Sequence, residues 1–374
     1  MKILYFVQSL VRGGAERLII DICTELQKRK GIEYLIVSFS EQNDYPESTS
    51  DLNIAYCNAS IQLSLFRKNI VKIDELLNII QDFKPDIIHS NVYLCELLSR
   101  EVLFPNIKYF THCHNNMPEF NNFSLKTLFN KRRFSRFYEK KRIERKYVKC
   151  RNKFIAISQD TLIYYQTHLN NKLKTAIYLL PNAINYKKFY NSDFQKSEDT
   201  LHLIMAGHFS AYKNQIFLLD VLKIIANKNV PVHLTLAGDW RNNGEVILKK
   251  TKKMNLTSKL SMPGIVNNIE DLYKTQSIYV HSSLSEPFGL VLLEAMAAGL
   301  PIVCLDGKGN RDIIEEGKNG YMIMQNDPKL FADKILEIWS NSEKYRFMSQ
   351  YAQEYAKQFD IVNYVDKLLE LYQK

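Results

Sequence analysis

The segments Ser277-Ile278-Tyr279-Val280-His281, Ser285-Glu286-Pro287-Phe288-Gly289-Leu290-Val291-Leu292-Leu293-Glu294-Ala295-Met296-Ala297-Ala298-Gly299-Leu300-Pro301 and Ile302-Val303-Cys304-Leu305 read in succession as strand, helix and strand. Pro287 suits a loop or a first helical turn, and Gly299-Leu300-Pro301 is a helix stop. Glu294 then falls inside an otherwise apolar helix, where an ionised carboxylate is costly unless a partner hydrogen-bonds it. The amides of Gly289, Leu290 and Val291 open the same helix and make an anion site at the positive end of its dipole. An anion on those amides and a polyol on Glu294 explain both features together. That pairing describes a nucleoside diphosphate with its ribose.

Outward from this unit, strands alternate with helices over most of the chain, which argues for parallel, doubly wound sheets. The first half predicts strands at 2–7, 33–38, 86–89, 107–111 and 153–157, with helices near 15–29, 70–82, 91–103 and 159–169. The second half predicts strands at 201–206, 232–237, 259–262, 277–281, 301–305 and 320–323, with helices near 213–228, 243–254, 268–275, 289–298 and 327–339. Pro181-Asn182-Ala183-Ile184-Asn185 and the polar stretch 191–200 form the linker. The expected division is a domain at 1–180, a second at 181–342, and a helical tail at 343–374 that crosses back to the first. Two doubly wound, Rossmann-like α/β domains are expected to face each other across a cleft at the carboxyl ends of their sheets.

A chain of 374 residues exceeds what one core usually supports. Its apolar runs are too short to span a bilayer, and its start reads as a strand, not a signal peptide. Six scattered cysteines show neither a CxxC nor a zinc spacing, which fits a reduced, cytoplasmic setting. The net charge of +10 is local: residues 126–153 hold thirteen Lys or Arg against Glu139 and Glu144, and the remainder is close to neutral. This segment carries aromatics as well, Phe129, Phe134, Phe137, Tyr138 and Tyr147. It suits packing on one face and an anionic headgroup surface on the rest. It contains no recognisable nucleic-acid module.

Other turns carry the same kind of chemistry. Gly13-Gly14-Ala15-Glu16 joins the first strand to a helix and lets a ligand approach the backbone, although the spacing is not the GxGxxG of dinucleotide sites. A plain tight turn fits equally well. In the second half, Ala206-Gly207-His208 ends a strand and Lys213-Asn214 opens a helix, where a cation opposes the dipole unless an anion binds beside it. Thr111-His112-Cys113-His114-Asn115 follows a buried strand; one histidine can reach a ligand while the other, more naturally His112, is structural. No Asp-x-Asp that would hold a divalent ion occurs, so metal-independent chemistry with no cofactor is the expectation.

Taken together, these residues resemble a retaining family 4 glycosyltransferase of the GT-B fold, bacterial capsule and O-antigen branch. The resemblance covers nearly the whole chain. It rests on Gly13-Gly14-Ala15-Glu16, His112-Cys113-His114-Asn115, Pro181-Asn182-Ala183-Ile184, Lys213-Asn214, the Glu286-x7-Glu294 element, Gly307-Lys308-Gly309-Asn310-Arg311-Asp312 and Gly317-Lys318-Asn319-Gly320. It implies that Glu286, His114 and Lys213 are catalytic. It also implies that Gly14, His208, Lys213, Glu286, Phe288, Gly289, Leu290, Val291 and Glu294 bind the donor, with no metal. Lys213 and the helix amides would neutralise the diphosphate, Glu294 would take the ribose, and Glu286 and His114 would contact the sugar, with His112 as the alternative to His114. His208 stands where the family usually has Arg, which removes a fixed charge. The implied activity is hexosyl transfer from a UDP-sugar, or from GDP-mannose, to a glycan or lipid-linked oligosaccharide, at the inner face of the cell membrane. A sugar-nucleotide epimerase on the same fold and a non-catalytic membrane scaffold are the alternatives.

Overall fold

The computed structural model describes residues 1–64, 69–120, 131–192, 199–240 and 243–374, and the side chains of 134–149 within the helix that begins at 131. Lys126, Phe129, the side chains of Arg132 and Arg133, and linker positions 193–198 lie outside these. The chain divides into two units, 1–182 with 361–374 and 183–360.

The strands are β1 (Lys2–Val7), β2 (Glu33–Ser38), β3 (Ile54–Tyr56), β4 (Ser60–Gln62), β5 (Ile70–Lys72), β6 (Ile87–Ser90), β7 (Lys108–Cys113), β8 (Lys153–Ala156) and β9 (Ile177–Leu179) in the first unit. In the second they are β10 (Leu201–Ala206), β11 (Val232–Ala237), β12 (Leu260–Gly264), β13 (Ile278–His281), β14 (Ile302–Leu305) and β15 (Gly320–Ile323). Among the described residues, the first unit holds a sheet in the order β3-β2-β1-β6-β7-β8-β9 and the second one in the order β12-β11-β10-β13-β14-β15. Every pairing in both is parallel. Helices cover both faces of such sheets, so strands like Leu203–Ala206 and Ile302–Leu305 are buried along their whole length instead of alternating.

The strand order reverses between β1 and β6 in the first unit and between β10 and β13 in the second. Just beyond the carboxyl ends of the strands at such a reversal, the connections diverge to opposite faces and leave a crevice. Gly13 and Asn91 follow β1 and β6; His208 and Ser282 follow β10 and β13. The candidate residues therefore stand where the topology opens each sheet.

Where a helix is expected from 70, residues 70–72 instead form β5, paired antiparallel with β4 with Ile61 opposite Val71, and the helix runs Asp74–Phe83. The β-branched pair Ile70-Val71 favours the strand, and Asp74-Glu75 favour a helix start at the positive end of the dipole. The tail forms two helices. Ser342–Lys357 lies in the second unit, and Ile361–Gln373 covers the first sheet with Tyr364, Leu368 and Tyr372 buried.

Candidate functional site

In the second unit the centre is Glu286. Its Oε2 accepts from Lys213 Nζ at 2.6 Å and from His281 Nε2 at 2.9 Å. Burial pushes its carboxyl upward, but the Lys213 charge and the His281 hydrogen bond outweigh this and hold it at about 2. Burial in turn lowers His281, so it is a neutral donor to the carboxylate. The result is an ionised carboxylate with one cation beside it, positioned by two loops that are tied together. Ser282 Oγ donates to the Lys213 carbonyl at 2.9 Å, and Leu284 N–H donates to the Tyr212 carbonyl at 2.8 Å.

The Gly307–Asn310 turn braces Glu286 from behind. Glu286 N–H donates to the Gly307 carbonyl at 2.8 Å and Gly309 N–H donates to the Glu286 carbonyl at 2.9 Å. A Cβ on Gly309 would lie 2.0 Å from the Pro287 carbonyl oxygen, so only glycine allows this approach. Fully buried Asn310 closes the turn, accepting from Gly307 N–H at 2.9 Å and donating to the Leu305 carbonyl at 2.9 Å.

The helix Leu290–Ala297 starts from Gly289 at φ 104°, with no side-chain cap. Its leading amides are thus open to an external acceptor. Glu294 is half-buried one turn further on, and its charge raises the phenols of Tyr273 and Tyr279, already raised by burial. Phe288 is only 2 % exposed and its ring packs 6.2 Å from Phe359, so it can offer a ligand backbone but not side chain. Exposed His208 bonds the Tyr212 hydroxyl at 3.0 Å; burial and then the Lys213 charge lower its imidazole, which adds no cation at neutral pH.

In the first unit, Gly13 precedes the helix Gly14–Leu26 in extended conformation, without a side-chain cap. The Glu16 carboxylate folds over this turn, its Oε2 2.3 Å from where a Gly13 Cβ would stand, and burial raises it. An anionic ligand at Gly14 would therefore meet Glu16. Beyond β7, half-buried His114 bonds Asn91 Oδ1 through Nε2 at 3.0 Å, and burial lowers its imidazole to about 3. The Asn91 amide Nδ2 donates to the Phe6 carbonyl at 3.1 Å. Its Oδ1 therefore faces the histidine as an acceptor, Nε2 must carry the ring proton, and Nδ1 keeps a bare lone pair. His112 is fully buried against His114, with ring centroids 4.0 Å apart.

The structure thus groups Lys213 and Glu286 directly, with His281 as the member that sequence reasoning missed. Gly289, Leu290, Val291 and Glu294 share the adjacent helix. His281 ends an expected strand at the carboxyl edge, the one signal that could have marked it. Among the described residues no group of three or more His, Cys, Asp or Glu is arranged to hold a metal ion, and no helix is long and apolar enough to cross a membrane.

Two nucleotide-fold units with an ion pair at the switch point of one and a hydrogen-bonded histidine at that of the other define a GT-B architecture, the class of two-domain glycosyltransferases. The chain carries both halves of that class: residues 12–188 match Glycosyltransferase Family 4 and residues 187–355 match Glycosyl transferases group 1. The capsular polysaccharide biosynthesis glycosyltransferase CapH of Staphylococcus aureus is 23% identical over 390 residues, spanning 100% of this chain and 98% of that one. The UDP-Gal:alpha-D-GlcNAc-diphosphoundecaprenol alpha-1,3-galactosyltransferase of Escherichia coli is 25% identical over 60% of each chain. The Anabaena HepE structure, in complex with UDP and glucose, superposes with a TM-score of 0.80 at 19% identity over 100% of both chains. Two Bacillus subtilis relatives are matched over about half their length, 46% and 51%.

Proposed function

We propose that the chain transfers a hexosyl group, with retention and without a metal, from a nucleoside diphosphate sugar to a glycan or lipid-linked acceptor in surface polysaccharide synthesis. A UDP-sugar is the preferred donor and GDP-mannose the alternative. The observation that carries this reading is the Lys213–Glu286–His281 cluster beside the open helix start at Gly289. A diphosphate on those amides would share Lys213 with Glu286. Glu294 would take the ribose, and the ionised Glu286, with Oε2 already bonded twice, would accept from sugar hydroxyls through its other oxygen. In the same reading His114 Nδ1 is a sugar contact and the backbone at Gly14 a phosphate contact. HepE is bound to UDP and the galactosyltransferase names a UDP-sugar, which supports the choice of nucleotide.

In the proposed step the bond from the anomeric carbon to the phosphate oxygen breaks, and its electron pair leaves with the diphosphate. The acceptor hydroxyl attacks on the same face and its proton passes to the departing phosphate oxygen. Preorganised donors on a leaving group contribute about 3 kcal/mol each, most in a site that excludes water. The inner membrane surface, met through the basic 126–153 segment, supplies a lipid-linked acceptor in this reading.

The test is thermal stabilisation by UDP, GDP and a panel of their sugars with chelator present. A ligand at 100 times its Kd adds about 2.7 kcal/mol. Selective stabilisation by uridine nucleotides that disappears in Lys213→Ala and Glu294→Ala supports the reading. Indifference to every nucleotide would replace it with a non-catalytic scaffold.

A further inference from the structure

Alternation along two neighbouring strands puts four polar side chains on one face of the first sheet. His89 in β6 and Asn91 just past it point the same way, as do His112 in β7 and His114 just past it. They form a square: His89 Nε2 bonds His112 Nδ1 at 3.2 Å, Asn91 Oδ1 bonds His114 Nε2 at 3.0 Å, and the rings of His112 and His114 pack with centroids 4.0 Å apart, tilted by 30°. Tyr5 lies in register with His89 on β1.

The helix Ile361–Gln373 closes this face with two tyrosines. Tyr372 OH bonds His89 Nδ1 at 2.5 Å and Tyr5 OH at 3.1 Å, and Tyr364 OH lies 3.5 Å from His112 Nε2. His89 and His112 are wholly buried, and each ring nitrogen has a neighbour in the chain. The titratable or charged groups around the square are Tyr5, Tyr364, Tyr372, Cys23 and Arg100. None of them is a carboxylate. Buried polar chains of this kind are fully bonded or costly, and a single missing partner is felt along them.

We propose that Tyr372, His89 and His112 are positioning residues that hold His114 in one ring orientation, with its Nδ1 lone pair bare for a sugar hydroxyl. The last part rests on the reading of His114 as a sugar contact. Tyr372 orients His89, His89 together with Asn182 and Tyr364 orients His112, and the His112 ring packs against that of His114. Removing the Tyr372 hydroxyl takes away the hydrogen-bond partner of His89 Nδ1. His89 then turns toward another partner, such as the Tyr5 hydroxyl, and the His112 ring moves with it.

The experiment uses the full chain labelled with ¹⁵N-histidine, reading ring-nitrogen resonances in the wild type, Tyr372→Phe, His89→Gln and His89→Ala. The His114 signals are assigned by their loss in His114→Gln. The wild type shows His114 as a single Nε2–H tautomer. Tyr372→Phe, which touches no atom of His114, moves its ring resonances toward a mixture of tautomers. In transfer assays the same substitution lowers kcat about tenfold with donor KM unchanged, the pattern of a lost transition-state contact. His89→Gln, which can still donate and accept, retains more kcat than His89→Ala. Unchanged His114 resonances in Tyr372→Phe would overturn the proposal, whatever the melting temperature does. The resonances decide the network with or without turnover, so a wild type that transfers no sugar counts against the proposed reaction alone.

Discussion

Glu286 is held ionised by two neighbours on different segments, and that makes its charge a source of stability with a definite pH window. Its folded value of about 2 lies below the ordinary carboxylate value of 4.5. The stabilisation is therefore complete above about pH 4.5 and is lost as pH falls through 2, in total about 3 kcal/mol. Glu286→Gln should flatten the stability profile in that window, read from thermal melts between pH 2 and 6. A wild-type loss of stability there that persisted in the variant would assign the effect to other carboxylates. Lys213→Ala removes the cation and leaves the carboxylate 10% exposed with His281 alone. It should cost on the order of 3 kcal/mol of stability, as breaking a buried pair does. It should also lower kcat on the order of 100-fold, if Lys213 neutralises the leaving group. Lys213 and Glu294 were legible in the sequence because a cation at a helix start or a carboxylate inside an apolar helix is anomalous on its face, whereas Glu286 was marked by the family resemblance of the Glu286-x7-Glu294 element. His281, Asn91 and Asn310 were not, because their roles come from bonds made after folding. The Asn91 partner lies 23 residues away and Lys213 lies 73 residues from Glu286.

At the scale of elements, the second half was readable almost strand by strand. Apart from the half-exposed edge strand Leu260–Gly264, its strands are mostly apolar and buried on both faces, and most of its helices run between clear stops. The first half was less so. The three-residue strands β3, β4, β5 and β9 are too short for a period to show, and β5 merged with the helix that follows it. The brace behind Glu286 was read as a motif without its mechanical role, which only the geometry gives. That role yields a prediction at this scale. Gly309→Ala drives a methyl into the Pro287 carbonyl at 2.0 Å, so the turn must move the Glu286-Pro287 segment away. Such overpacking costs about 1–3 kcal/mol. UDP affinity, measured by titration calorimetry, should fall about tenfold or more although the residue needs no contact with the nucleotide. Full affinity in a variant of lowered melting temperature would mean that the Gly307–Asn310 turn supports the fold and not the site.

At the scale of the whole molecule, the positive charge is gathered on one helix. Within Lys131–Lys149, the spacing of Phe134, Tyr138, Lys141, Arg145 and Lys149 puts all five on one exposed face, aromatic at the start and cationic toward the end. The other described cations of this helix are engaged. Arg142 and Lys146 pair with Glu101, and Arg136 lies 3.7 Å from Glu119. Lys140 is 6% exposed and donates to the Phe120 and His168 carbonyls, so reversing its charge would damage the fold before it tested any surface. The informative variant is Lys141→Glu with Arg145→Glu and Lys149→Glu, since the loose Lys141–Glu144 pair at 3.8 Å adds little. Each cation near an anionic leaflet is worth about 1 kcal/mol, so the triple reversal should weaken binding to phosphatidylglycerol vesicles by about 100-fold or more. Binding by the wild type should fade as salt rises, because the attraction acts within a Debye length of about 10 Å at 0.1 M. Phe134→Ser with Tyr138→Ser should weaken it less and leave the salt dependence intact, because aromatic burial is not screened. Vesicle cosedimentation that ignores all five substitutions would place any membrane contact on another surface and leave the basic helix as a solvated face.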